Sequence, residues 1–338
     1  MPTEEDYGLV VGINDYKNPP YGPLLGAKRD AEEFIAWLKN PAGANVPARN
    51  IDPFTKLSDA DGSTPMLSHL LILLIQLRKR ATPGKKRIGR RLYLFFSGHG
   101  VSSRDELDEA SLVTVDAEDS YNARLPGKQS ADQFSLTARF EEVLLFMDCC
   151  RVTHLLLDPF KVPIDEKPDA DAAKRVKRFY AFATGFGQTA REMPHNGIVC
   201  GIFSRILLEG LKGAAPPDSQ GRLTTTQLRT YLETEMAKIM IDGESLCPKF
   251  PALDEIVLAE GLTPKKTTVH LNFTQPTAGI EVLDGADNLA PVQPGELTST
   301  APGVRFTLPF GKGFVIRANG SGRTTTIKTD KEEIHASL

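Results

Sequence analysis

The sequence has no CxxC pair among its four cysteines, so it offers neither a thiolate zinc site nor a disulfide framework. Cys149 and Cys150 are adjacent, which on geometry excludes an ordinary bridge between them; reduced thiols and a cytoplasmic location are expected. Nor is there an excess of charge. A net of −3 over 338 residues removes any general case for nucleic acid or an anionic membrane surface as partner. Eight basic residues do fall between Arg78 and Arg91, but with no aromatics interleaved they read as a solvated helix end and loop. The most apolar stretch, Met66–Leu77, is twelve residues long and is interrupted by Ser68, His69 and Gln76. A bilayer span needs about 20 residues, so this stretch suits a buried helix. The opening MPTEEDYG is acidic and lacks a basic segment followed by an apolar core, so no secretory signal is expected.

What is present is an alternation of short apolar runs with helical patterns, the mark of an α/β domain with a mostly parallel sheet. Strands are predicted near Tyr7–Gly12, Leu92–Phe96, Val143–Met147 and Phe179–Thr184. Helices are predicted at Leu24–Lys39, Thr64–Arg80, Leu136–Glu142, Gly201–Leu211 and Thr225–Ile239. After about Glu260 the texture changes. GLTPKK reads as a linker, and from Thr267 five strand-like runs (VHLNF, GIEVL, RFTLPF, GFVIRAN, TTTIKT) predict a small all-β, sandwich-like domain over 267–338. No metal or nucleophile constellation is legible there, so a binding or packing module is expected.

Two motifs carry the chemistry: SGHG at Ser97–Gly100 and DCCR at Asp148–Arg151. Each ends an apolar run, and the carboxyl ends of parallel strands are where α/β sheets place reactive groups. One strand thus delivers the imidazole of His99 and the other a thiol, Cys149 or Cys150, to one edge. A thiol is a weak nucleophile until a neighbouring base helps form the thiolate. Successive strand side chains point to opposite faces, so only one of the two thiols can meet His99. Taken alone, His99 could equally be a loop histidine and either cysteine an inert packing thiol.

The two motifs, 51 residues apart from His99 to Cys150, resemble those of the caspase–metacaspase clan of cysteine peptidases, more its bacterial and metacaspase branches than animal caspases. LVVGINDY at Leu9–Tyr16, LLGAKRDAEEF at Leu24–Phe34, LVTVDA at Leu112–Ala117, FYAFATGFGQTARE at Phe179–Glu192, GIFSRILLEGLKG at Gly201–Gly213 and GRLTTTQLRTYL at Gly221–Leu232 follow the family's order. The resemblance implies a three-layer α/β/α peptidase domain over 1–262, with a large-subunit part at 1–151, a linker at 152–178 and a small-subunit part at 179–262. It implies a His99–Cys150 dyad, since the family's nucleophile stands two residues after the Asp, and an oxyanion hole from the backbone N–H groups of Gly100 and Cys150. It also implies a primary specificity pocket lined by Asp30, Ser97 and Asp148. Two carboxylates in one cavity suit a guanidinium or ammonium, so cleavage after Arg or Lys is expected. Asp30 could instead merely complement a helix dipole.

Other consequences of the resemblance are an endopeptidase acting on protein substrates in regulated proteolysis, cell death or antiviral defence, with an upstream activating protease or regulator as a further partner. Lys174, Arg175, Lys177 and Arg178 in the linker become candidate processing sites. Calcium is the one family cofactor implied, with Asp165, Glu166, Asp169 and Asp171 as candidate ligands, although they lack EF-hand spacing. The sequence departs from metacaspases in Ala27, where a Cys is often found, and in Arg151–Thr153, where HSG is common. The alternatives are a catalytically silent scaffold whose C-terminal β-domain binds partners, and a redox sensor using the vicinal Cys149 and Cys150.

Overall fold

The computed structural model describes residues 3–81, 86–102, 108–118, 121–153, 162, 167–185, 190–195, 197–241, 243–263, 266–275, 277–285, 289–300, 302–309, 313–320, 322–329 and 333–338. The chain divides into a larger unit, residues 1–215 and 224–259, and a smaller one, residues 216–223 and 260–338. Residues 216–223, within the stretch 179–262 expected for the small-subunit part, fall in the smaller unit by this division.

The larger unit is built on a six-stranded sheet. Its strands are β1 (Asp6–Gly12), β2 (Thr55–Leu57), β3 (Gly89–Gly98), β4 (Phe140–Cys149), β5 (Lys177–Phe182) and β6 (Lys249–Leu253), in the order β6-β5-β4-β3-β1-β2. All neighbours are parallel except β6, which pairs antiparallel with β5. Strands covered on both faces must be apolar on both faces, which is why RLYLFF and VLLFM run unbroken. Helices α1 (Ala27–Lys39), α4 (Ile202–Glu209) and α5 (Thr225–Ala237) cover one face, with Phe34, Phe203 and Leu228 packed on Tyr93, Phe95 and Phe146. Helices α2 (Leu67–Arg78) and α3 (Gly127–Leu136) cover the other, with Leu73, Leu74 and Phe134 on Leu94, Phe96 and Leu145. The result is a three-layer α/β/α domain.

The helix predicted at Leu136–Glu142 is not one. Helix α3 ends at Leu136 and Phe140 already begins β4. Glu141 and Glu142 favour a helix locally, but cross-strand charges hold them extended: Arg91 Nε donates to Glu142 Oε2 at 2.6 Å, and Arg87 pairs with Glu141. Arg91 also reaches the Tyr93 hydroxyl at 3.0 Å and the Val257 carbonyl at 2.6 Å, and buried Asp6 accepts from Arg90 Nε at 2.9 Å. Much of the basic run is therefore structural pairing at the amino end of the sheet. Strands β2 and β6 went unpredicted because three and five residues carry too little periodicity to be read.

The smaller unit has two four-stranded sheets. Its strands are β7 (Lys266–Asn272), β8 (Ile280–Asp284), β9 (Pro291–Val292), β10 (Gly295–Thr300), β11 (Gly303–Pro309), β12 (Gly313–Ala318), β13 (Thr324–Lys328) and β14 (Glu333–Ser337), ordered β10-β11-β7-β14 and β9-β8-β12-β13. Val269, Leu271 and Phe306 of one sheet share a core with Val282, Phe314 and Ile316 of the other. The five strands predicted are there, with β9, β10 and β14 in addition. β10 is polar and exposed, so no apolar alternation announced it, and β14 alternates over only five residues, EIHAS, too short a run to be read.

Candidate active site

Strands β3 and β4 run in register with Ser97 beside Asp148 and Gly98 beside Cys149. Just beyond, Gly100–Ser102 and Val152–Thr153 pair in parallel as well. His99 and Cys150 therefore occupy the same step of adjacent strands, at the point where the ladder opens. Gly100 permits the close approach: a Cβ there would lie 2.5 Å from the Cβ of Cys149 and 3.1 Å from the backbone N of Cys150.

His99 is held from three sides. Its Nε2 lies 2.8 Å from the carbonyl of Gly22, and a carbonyl can only accept, so Nε2 carries the proton and Nδ1 keeps the lone pair. Its backbone N–H donates to the Tyr16 hydroxyl at 3.1 Å, and that hydroxyl donates to the Val113 carbonyl at 3.0 Å. The Tyr16 and Tyr21 rings pack against the imidazole at 4.7 and 5.4 Å between centroids. Gly22, Tyr16 and Tyr21 were not singled out in the sequence; the only trace of them is a pair of tyrosines in an otherwise featureless Pro-rich loop.

Cys149 is 1 % exposed and its Sγ donates to the Phe96 carbonyl at 3.7 Å, whereas Cys150 is partly exposed with its Sγ 3.7 Å from the Ala190 carbonyl. Burial pushes the Cys149 thiol well above its usual value and raises Cys150 too. Burial also lowers the His99 imidazole, so histidine and thiol both rest neutral near pH 7.

Period-two alternation puts Ser97 and Asp148 on the face covered by α1 and α4, and α1 brings Asp30 to the same place. All three are buried. The backbone N–H of Gly201 donates to Asp30 Oδ2 at 2.9 Å; the backbone N–H and Oγ of Ser204 donate to Asp148 Oδ2 at 3.0 and 2.7 Å. A Cβ on Gly201 would stand 2.8 Å from Asp30 Oδ2 and closer still to Asp148 Oδ2, so only glycine fits between the carboxylates. Burial first, and then the Asp148 charge, pushes Asp30 up to about 8. Burial raises Asp148 to about 6 against the opposing Ser204 hydrogen bonds. The hollow beside Asp148, walled by Ala183, Thr184, Ala190, Arg191, Ile202 and Phe203, has no room for a water molecule.

The hairpin Glu192–His195/Ile198–Gly201 closes over this region. The Glu192 carboxylate accepts from the backbone N–H of Leu25 at 3.0 Å and of Gly26 at 2.7 Å just ahead of α1, while Asn14 Oδ1 accepts from the Lys28 N–H in its first turn at 2.8 Å. Glu192 and Ser204 lie within the longer motifs at Phe179–Glu192 and Gly201–Gly213, where nothing in the sequence distinguishes them.

The linker residues separate into two kinds. Lys174 and Arg175 are exposed on the turn after a short helix, Ala170–Ala173. Lys177 and Arg178 are paired in β5, with Lys177 Nζ on the Glu255 carbonyl at 3.0 Å and Arg178 N–H on Asp254 at 2.8 Å. Asp165 and Glu166 lie outside the described residues. Asp169 caps that helix and accepts from Lys86 at 3.2 Å, while Asp171 pairs with Lys174 at 3.1 Å. Among the described residues, these acids form no metal-ligand cluster.

The model of the caspase domain family matches residues 6–250. A probable protease of a Desulfuromonadales bacterium is 28% identical over 221 residues, 62% of this chain but only 26% of that relative's length. Caspase-1 from Spodoptera frugiperda superposes with a TM-score of 0.48 at 12% identity, over 74% of this chain and 86% of its own.

Proposed function

Because the chain belongs to the caspase domain family of cysteine peptidases, we propose that it hydrolyses peptide bonds on the carboxyl side of arginine or lysine, with Cys150 as nucleophile and His99 as its base. The observation that carries the reading is the register of β3 on β4, which makes His99 and Cys150 leave the sheet side by side. His99 takes the thiol proton through Nδ1 as the sulfur attacks the scissile carbonyl carbon. The backbone N–H groups of Gly100 and Cys150 hold the developing oxyanion. Collapse breaks the C–N bond, His99 hands its proton to the departing amine, and water then cleaves the thioester and restores the thiol. Gly22 keeps the imidazole in the tautomer this requires.

Specificity rests on Asp30 and Asp148, with Ser97 beside Asp148 on the neighbouring strand. A guanidinium entering this place would take up the negative charge that burial now suppresses. An acidic side chain would meet two carboxyls instead, a mismatch of order 10⁴ or more in rate. The closed hairpin fits an enzyme that opens on activation. Among the linker's basic residues, Lys174 and Arg175 are the ones a peptidase reaches without unpairing a strand. Regulated proteolysis, as in cell death or antiviral defence, is the role this machinery suits.

Fluorogenic peptides ending in Arg, Lys, Asp or Leu test the reading directly. Turnover of the first two only, abolished in Cys150→Ala and kept in Cys149→Ala, is expected. Cutting after Asp would overturn the roles of Asp30 and Asp148.

A further inference from the structure

In the smaller unit, strand pairing assembles a set of metal-binding side chains that no spacing in the sequence suggests. Strands β7 and β14 are parallel, with His270 opposite His335 and Thr268 opposite Glu333. Residues two apart on a strand share a face, so Glu333 and His335 lie together beside His270 on the outer face, away from Val269 and Leu271. The ligand atoms of the three side chains all lie within 4.8 Å of one another. Glu333 Oε1 is 2.6 Å from His270 Nε2 and 3.9 Å from His335 Nε2. The two rings stack at 4.6 Å.

An ordinary hydrogen-bonded cluster does not account for this geometry. His270 Nε2 is shut off from solvent and, despite its short distance to Glu333, makes no aligned hydrogen bond. The in-plane direction of Nε2, whether it carries a proton or a lone pair, therefore misses the carboxylate oxygen 2.6 Å away, and a ring nitrogen shut off from water without a partner is costly unless a cation takes its lone pair.

We propose that His270, Glu333 and His335 bind a divalent late-transition ion, zinc being the reference case, on the edge of this sheet. Two imidazoles and one carboxylate are the donor set of open zinc sites, with bonds of about 2.0–2.2 Å that place ligand atoms about 3.4 Å apart. The observed 2.6 and 3.9 Å straddle that value. Glu333 and His335, 60% and 69% exposed, need only small side-chain rotations to even them. Two nitrogen donors select against calcium and magnesium, which want oxygen shells. The remaining positions are open to water or to a side chain of a bound partner. Arg305, opposite His270 on β11, is exposed, where water screens its charge.

The test uses the full chain carrying Cys150→Ala, so that the dyad cannot hold the metal. Equilibrium dialysis against micromolar zinc should give one bound ion per chain, with affinity falling at least about tenfold in His335→Ala and in Glu333→Gln. Cobalt in place of zinc should show visible d–d bands without the near-ultraviolet thiolate charge-transfer band that a cysteine site would produce. No zinc uptake, uptake unchanged in His335→Ala, or a thiolate band would each overturn the assignment. His335 is exposed, so its loss does not threaten the fold; unchanged circular dichroism checks this.

Discussion

The backbone N–H of Gly201 donates to the carboxylate of Asp30 at 2.9 Å across 171 residues of sequence. One hydrogen bond thus joins the helix that supplies a pocket acid to the hairpin that covers it. In the same place Ser204 satisfies Asp148. The two carboxylates therefore have protein partners in this structure, and under the proposed specificity those partners are exchanged for the substrate's cation.

Asp30 and Asp148 make stability and substrate binding respond to pH in opposite directions. Both carboxyls are raised above the model-peptide 3.8, to about 8 and about 6, so the folded chain holds more protons than the unfolded one between those limits. Their contribution is fully present below about pH 4 and is lost as pH rises through 6 to 8. Asp30→Asn keeps an acceptor for Gly201 but removes the charge. Its thermal midpoint at pH 8 should exceed wild type by a few degrees, about 2–4 °C per kcal/mol. Its kcat/KM on arginine peptides should fall about a hundredfold or more. Wild-type KM for such peptides should drop as pH rises over the same range.

Thiol reactivity should follow exposure. Iodoacetamide followed by peptide mapping should label exposed Cys247 first, Cys150 more slowly and Cys149 not at all in the folded chain. Because burial raises Cys150, its labelling should accelerate with pH beyond neutrality. Labelling of Cys149 ahead of Cys150 would reverse their roles.

Glu192 ties the hairpin to α1 through two charge-assisted hydrogen bonds. Such bonds contribute about 1.5–3 kcal/mol each when well formed. Glu192→Ala should raise amide exchange across residues 192–201. Basal turnover of an arginine peptide should increase about tenfold, the effect of roughly 1.4 kcal/mol of released closure. Unchanged exchange would show that the carboxylate does not hold the hairpin.

Arg91 tests the far end of the sheet. Its guanidinium is buried and shared among Glu142, Tyr93 and Val257. Arg91→Ala should destabilise the chain by about 3–5 kcal/mol, since Glu142 and Tyr93 lose their partner. The double variant with Glu142→Gln should lose less than the sum of the singles in urea denaturation, giving a coupling of about 0.5–3 kcal/mol.

The apolar runs before SGHG and DCCR were long enough to reveal buried parallel strands, and the family's ordered motifs named His99, Cys150, Asp30, Ser97 and Asp148 as candidates. Strand β14 alternates over five residues only, with no long apolar run, and with it His335 and Glu333 stayed hidden. The same holds for Gly22, an exposed glycine whose part is played by a carbonyl, and for Glu192, whose partners are backbone amides. Glu141 and Glu142 misled for the opposite reason: their helix propensity is real, but arginines on the neighbouring strand override it.

The sequence by itself determined the layers, because hydrophobic periodicity is a local property and burial follows it. Tertiary structure alone decided which carboxylate meets Gly201, which carbonyl orients His99 and which imidazole lies beside His270. Those are contacts between segments distant in the chain, and strand order and register, absent from any single stretch of residues, choose them.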